Sequence, residues 1–174
     1  MATQALEQLI RDTRWQDLDY LVIDMPPGTG DIHLTLAQRM PVTGAIIVTT
    51  PQDIALLDAR KGLKMFEKVG IPVLGIVENM AMHQCSACGK IEHIFGEGGG
   101  RRMADQYEVA YLGALPLELK IRQQSDEGCP TVVAEPNSPI SDLYRGIARK
   151  LAVALAARAV SHASKFPSIV VQNT

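Results

Sequence analysis

This chain lacks the usual equipment for gripping phosphate. None of its 174 residues opens the pattern of glycine, four residues, Gly-Lys and Ser or Thr: the Gly89-Lys90 pair is followed by Ile91, and Gln84 stands where the first glycine belongs. A dinucleotide fingerprint fails as well, because Gly28-Thr29-Gly30 is followed by His33 where a third glycine is needed. Cysteine is scarce: three residues cannot build the disulfide framework of a small secreted protein, so the closely spaced pair points to metal or redox chemistry. No apolar run approaches the roughly 20 residues that span a bilayer. The start, Met-Ala-Thr-Gln-Ala-Leu-Glu, has neither a basic leader nor an apolar secretory core, and a cytoplasmic protein is expected. Charge of one sign is not concentrated either. Seventeen Lys and Arg against nineteen Asp and Glu leave a net charge of −2 and no basic stripe, which argues against nucleic acid or an anionic membrane as partner.

What is present is a core and a rhythm. With 47% hydrophobic residues the chain can bury the interior of one domain. Ala5, Leu6, Leu9 and Ile10 fall at helical spacing over residues 4–12, and Asp19 to Asp24 is a short apolar run suited to a buried parallel strand. A Pro26 to Gly30 loop leads to a helix from Ile32 to Arg39, with Asp31 as its N-cap. Gly44 to Thr50 is the next strand, Asp53 caps a helix running to about Val69, and Val73 to Asn79 is the third strand. A polar, glycine-rich stretch (82–100) precedes a short helix ending near Tyr107 and a strand from Ala110 to Leu115. Residues 118–137 show little periodicity and read as a long loop. Ser138-Pro139 then opens a long helix whose apolar stripe is Ile140, Leu143, Ile147, Leu151 and Leu155. Alternating strands and helices predict a doubly wound α/β fold with a mostly parallel sheet, whose ligands gather at the carboxyl ends of the strands. The reading gives one domain over residues 1–163 and a loose tail over 164–174.

Two constellations carry chemistry. Asp24 ends a predicted strand, where a carboxylate can hold water on Mg²⁺, and the amides of Gly28, Thr29 and Gly30 can turn toward a γ-phosphate. Asn79 offers a donor and an acceptor in one plane, as an adenine ring requires, or it is simply a turn residue. The second constellation is Cys85-Ser86-Ala87-Cys88-Gly89. Two thiolates at this spacing bite one metal centre and select zinc, Cu(I) or an iron–sulfur cluster. His83 and His93 could complete a zinc site within the chain, or a second copy could supply two more thiolates around a [4Fe–4S] cluster.

The strings Asp-Met-Pro-Pro-Gly-Thr-Gly-Asp (24–31), Thr-Thr-Pro-Gln-Asp (49–53), Asp-Ala-Arg-Lys-Gly (58–62), Val-Glu-Asn-Met (77–80), the cysteine pair, Phe-Gly-Glu-Gly-Gly-Gly (95–100) and Leu-Gly-Ala-Leu-Pro-Leu (112–117) occur in one order. Together they resemble the Mrp/ApbC-type iron–sulfur cluster carriers of the MinD-like branch of P-loop ATPases. The resemblance implies an ATP- and Mg²⁺-binding homodimer that holds a [4Fe–4S] cluster between two Cys-x-x-Cys loops and passes it to apo iron–sulfur proteins. By position it makes Asp24 the Mg²⁺-side carboxylate, Gly28 to Gly30 the γ-phosphate sensor, Asn79 with Pro116 and Leu117 the adenine pocket, and Cys85 and Cys88 the cluster ligands. Two alternatives stand beside it. One is a zinc-stabilised, non-catalytic domain. The other is a MinD/ParA-like positioning ATPase, which would want a basic amphipathic C-terminal helix that Phe166-Pro-Ser-Ile-Val-Val-Gln does not supply.

The resemblance also implies a P-loop strand between the Asp24 strand and the Thr50 strand, and no P-loop pattern occurs in these 174 residues. The sheet is therefore expected to be incomplete there, with an apolar strand edge open to solvent or to another chain. The 174-residue polypeptide is expected to bind Mg-ATP weakly or not at all. Equilibrium dialysis measures this directly, and micromolar affinity would overturn the expectation.

Overall fold

A computed structural model describes residues 8–10, 12–25 and 42–163. Three parallel strands form the centre: β1 (Ala45–Thr49), β2 (Val73–Glu78) and β5 (Tyr111–Ala114), in the order β1-β2-β5. A two-stranded antiparallel ribbon, β3 (His83–Gln84) and β4 (Ile91–Glu92), rises between β2 and β5 in the chain. Over residues 42–163 the helices are α1 (Asp53–Lys68), α2 (Gly99–Gln106), α3 (Leu119–Asp126), α4 (Thr131–Ala134) and α5 (Pro139–Ala163).

Side-chain alternation along the strands sorts the core into two layers. On one face Ile47 and Ile76 meet Leu56 and Leu63 of α1 and Met103 and Ala104 of α2. On the other, Val77 and Leu112 join Leu115, covered by Tyr144 and Ile147 of α5. Helices on both faces of a parallel sheet are the doubly wound arrangement that the strand and helix rhythm predicts. The α1 end shows how local chemistry fixes a crossover. The Gly70 amide bonds the Glu67 carbonyl and the Ile71 amide bonds the Phe66 carbonyl, satisfying orphan helix carbonyls while Ile71 packs on Phe66. The chain is thereby turned into β2. At the other end of the fold, the Ser138 hydroxyl accepts the Ser141 amide and Pro139 starts α5. The Lys150 ammonium ties the same helix to the Leu112 carbonyl at 2.7 Å.

Several expectations are corrected. Residues 19–24 form no strand: the segment is irregular, and Val22 is 80% exposed. A parallel strand exists only through its neighbours' hydrogen bonds, and among the described residues β1 pairs with β2 alone, so nothing holds this run in a ladder. The open edge shows in Val48, 62% exposed in an apolar strand. Residues 118–137 are not a loop but contain α3 and α4; α3 buries no residue and α4 has only four, so neither carries an apolar period to read. Leu143 faces out of the α5 stripe, and Tyr144 packs inward in its place. Asp53 is not the cap of α1. Gln52 holds that position, and Asp53 lies in the first turn, where its charge favours the helix dipole. Residues 26–41 and 164–174, with the expected Gly28 to Gly30 loop, the Ile32 to Arg39 helix and the tail, lie outside the described residues.

Among the described residues no helix is long and apolar enough to cross a membrane. Ile76, fully buried in the central strand and packed with residues of both α1 and α2, sets the test of this core. Ile76→Ala is expected to lower unfolding free energy by about 3 kcal/mol in urea titration, the usual cost of such a cavity, whereas a loss below about 1 kcal/mol would contradict the packing.

Candidate functional site

The carboxyl ends of β1, β2 and β5 lie side by side, and the hydrogen-bond ladder continues past them. The Asn79 amide bonds the Thr49 carbonyl (2.7 Å), Leu115 bonds Glu78 (2.9 Å), Ala81 bonds Leu115 (3.0 Å) and Leu117 bonds Met82 (2.7 Å). Parallel pairing thus carries the loops outward in register, so that Asn79 and the Pro116-Leu117 segment leave the same end of the sheet. Asn79 is already engaged there. Its side-chain oxygen accepts the Met80 amide at 2.9 Å, supporting Met80 in a left-handed conformation (φ 54°). Asn79 therefore acts as a turn residue here. Asp24 is exposed in the irregular segment, and the structure does not place it on the end of a strand. Gly28, Thr29 and Gly30 lie outside the described residues.

The cysteines sit on the ribbon that leaves this end of the sheet. His83 pairs with Glu92 and Gln84 with Ile91, so residues 85–90 form the turn between the strands. The turn is closed by the Cys85 amide on the Lys90 carbonyl (2.9 Å) and the Gly89 amide on the Cys85 carbonyl (2.8 Å). Gly89 takes φ +71°, the left-handed geometry that a residue without Cβ adopts at no steric cost. The consequence is chemical. The backbone amides of Cys88 and Ala87, followed by the Cys88 thiol, point at the Cys85 sulfur and hold its pKa below that of an ordinary thiol. Donors aimed at sulfur favour the thiolate, the form that binds metal. Cys88 is exposed and Cys85 half-buried, so both sulfurs are within reach of solvent.

Both histidines near the pair turn back to the scaffold. His83 Nδ1 lies 3.0 Å from the Leu117 carbonyl, and His93 Nδ1 lies 3.0 Å from the Ala81 carbonyl. These contacts pin the two sides of the ribbon to the loops after β5 and β2. Among the described residues no three His, Cys, Asp or Glu side chains are gathered around one metal position, so His83 and His93 do not join Cys85 and Cys88 in a zinc site within the chain. Cys129 stands apart, its amide bonded to the Gln124 carbonyl at the end of α3.

Sequence reasoning missed one member of this region. Glu78 ends β2, is only 3% exposed, and its carboxylate accepts the Gly100 amide at the start of α2. The signal was available: an acid closing the otherwise apolar run Val-Leu-Gly-Ile-Val-Glu.

Comparison with known proteins agrees with this architecture. Residues 1–152 match the family model described as ParA, the NUBPL iron-transfer P-loop NTPases. The iron–sulfur cluster carrier protein of Pseudomonas fragi is 65% identical over 148 residues, covering 85% of this chain and 52% of that protein. The iron–sulfur cluster transfer protein NUBPL of Mus musculus is 50% identical over 151 residues, 87% of this chain and 47% of that one. This chain therefore spans about half the length of the curated relatives it matches. Among solved structures, a nucleotide-binding protein from Archaeoglobus fulgidus in complex with ADP superposes with a TM-score of 0.67 at 36% identity, covering 78% of this chain and 55% of that one. The cell-division ATPase MinD of Pyrococcus furiosus shares the fold at a TM-score of 0.61 and 22% identity, over 87% of this chain and 56% of that one. With the matched model spanning nearly the whole chain, and the cysteine ribbon rising from the ends of a MinD-like parallel sheet, this chain belongs to the ParA/NUBPL family of iron-transfer P-loop NTPases.

Proposed function

We propose that this chain is the cysteine-bearing part of an iron–sulfur cluster carrier, in which Cys85 and Cys88 hold one half of a [4Fe–4S] cluster and the same pair from a second copy holds the other. The observation that carries the reading is the turn itself: two exposed or half-exposed sulfurs, one with its pKa lowered by backbone amides, with no third ligand gathered beside them among the described residues. A four-thiolate cluster needs twice that number. The cluster is cargo, and exposure of both sulfurs suits a group that must be handed to apo-proteins. Ile91 and Ile94, 54% and 55% exposed on the same ribbon and the residues after it, supply apolar surface for the second copy. Residues 1–163 form part of the MinD-like ATPase domain, with the ribbon and its flanks (82–100) as the cargo site.

For a nucleotide, the described strand ends offer Asn79 and the Pro116-Leu117 segment, but no run of amides around a phosphate. The roles of Asp24 with Mg²⁺ and of Gly28, Thr29 and Gly30 with the γ-phosphate belong to the proposal and rest on the family motifs; the ADP complex of the Archaeoglobus relative supports nucleotide binding alone. The cluster reading stands without them.

Anaerobic reconstitution with iron and sulfide is expected to give a broad sulfide-to-iron absorption and a dimer by size-exclusion chromatography. Cys85→Ala and Cys88→Ala should each reduce both to background. A stable cluster in either variant, or stoichiometric zinc without a chromophore in the wild type, would contradict the proposal. The thiolate has its own test. A depressed pKa means that the reactive form persists below the pH at which ordinary thiols protonate, so the alkylation rate of Cys85 by iodoacetamide, followed by peptide mass spectrometry, should reach half-maximum below the usual thiol value. Cys88→Ala removes one thiol donor and keeps both amides, so it should raise that midpoint only part of the way. A wild-type midpoint at or above the usual value would contradict the amide–sulfur geometry.

A further inference from the structure

Glu78 is the ionisable side chain that the protein buries among the described residues. A carboxylate out of water is unfavourable unless donors surround it. Its donor comes from α2, whose N-cap residue, Gly98, offers no side-chain cap and which has no acid in its first turn. The anion that this helix end favours is supplied across the fold, from the end of the central strand, by the bond between the Glu78 carboxylate and the Gly100 amide. The approach leaves no room for a side chain: a Cβ at Gly100 would lie 2.9 Å from Glu78 Oε2, and one at Gly99 would lie 2.8 Å from both the Pro51 carbonyl oxygen and Leu56 Cδ1. A cation stands close by. Arg101 lies over the Tyr111 ring, 4.3 Å from its centroid. Burial first, and then the charge of Glu78, raises the Tyr111 phenol pKa, while Arg101 opposes the rise.

The position of α2 matters because it begins where the path from the cysteine ribbon ends. Residues 93–98 connect β4 to α2, and they are tied along the way by the Gly96 amide on the His93 carbonyl (3.1 Å) and by the Arg102 guanidinium on the Glu97 carbonyl (2.6 Å). Beside the backbone bond from the Leu117 amide to the Met82 carbonyl, side-chain bonds tie the ribbon and its flanks to the strand ends at three points among the described residues: His83 to Leu117, His93 to Ala81, and Gly100 to Glu78. The third is the one fixed within the central strand itself.

We propose that Glu78 is a positioning residue for the cysteine turn, its buried carboxylate capping α2 and so fixing the return path of the ribbon that presents Cys85 and Cys88. The functional consequence rests on the cluster-carrier reading; the geometry does not. Hydrogen exchange of the metal-free 174-residue chain, read by mass spectrometry, and titration with Co(II) alone test it together. In Glu78→Ala, amides of residues 83–102 should exchange at least about tenfold faster while those of β2 and β5 stay protected, and Co(II) affinity should fall by about tenfold, as when a group that orients ligands is lost. Glu78→Gln keeps an acceptor oxygen in place and should restore both, while lowering the Tyr111 pKa in a ¹³C-tyrosine titration. Gly100→Ala displaces the carboxylate without removing it and should reproduce the losses expected of Glu78→Ala, deciding the matter if the latter variant does not fold. Unchanged ribbon exchange and Co(II) affinity in both variants, or faster exchange spread evenly over the whole core, would overturn the proposal. A wild-type chain that takes up no iron–sulfur cluster would overturn the carrier reading instead, and the exchange data would still decide the role of Glu78.

Discussion

Everything at the candidate site hangs on the pairing of β2 with its two neighbours. The bonds that continue beyond β2, from Asn79 to Thr49 and from Leu115 to Glu78, set where each following loop begins. Because both pairs are parallel, three chain segments leave the sheet at the same end, and their side chains converge without any loop having to travel far. Ile76 and Val77 anchor the strand to opposite layers of the core, so the site end of β2 inherits its rigidity from packing on both faces.

The cysteine ribbon shows the opposite physics. Two residues per strand and no buried apolar residue in β3 or β4 cannot hold a ribbon by themselves. It is held by polar tethers to backbone carbonyls of the rigid sheet end, through His83 and His93, and its tip is left in water. The proposed carrier role suits this division: donors to sulfur arranged in advance by the turn, and a face open enough for another chain to reach. Energetically the turn depends on its backbone, since the amides of Ala87 and Cys88 act on Cys85 wherever the short turn is closed around Gly89.

Much of this was legible in the residues. The strands from Ala45 and Val73 announce themselves as continuous apolar runs bounded by turn residues, and Ser138-Pro139 marks the start of α5 by capping chemistry alone. The cysteine pair is visible as a ligand set from spacing. Where the reading failed, the deciding information was not local. The run at residues 19–24 has the composition of a buried strand, but composition cannot supply the neighbour whose hydrogen bonds make one. The helix α3 buries nothing and is stabilised by its C-terminal bonds and by Lys120, Gln124 and Glu135, none of which leaves a hydrophobic period. Leu143 and Tyr144 are adjacent on one helix, and only the position of Leu112 and Val77 determines which of them turns inward.

By itself the sequence determined the fold class, the strand and helix rhythm, the closely spaced Cys85 and Cys88 as the candidate ligand pair, and the family. The first three follow from local periodicity and spacing and the family from the resemblance of its ordered motifs, none of which needs knowledge of what lies across the fold. Tertiary structure alone decided that His83 and His93 turn their Nδ1 atoms to backbone carbonyls, that the Asn79 oxygen is taken by its own turn, and that Glu78 caps a helix some twenty residues away in the chain. Each of these is a choice among partners, and a side chain's partners are set by which segments the parallel sheet brings to one end, a long-range fact that no stretch of residues contains.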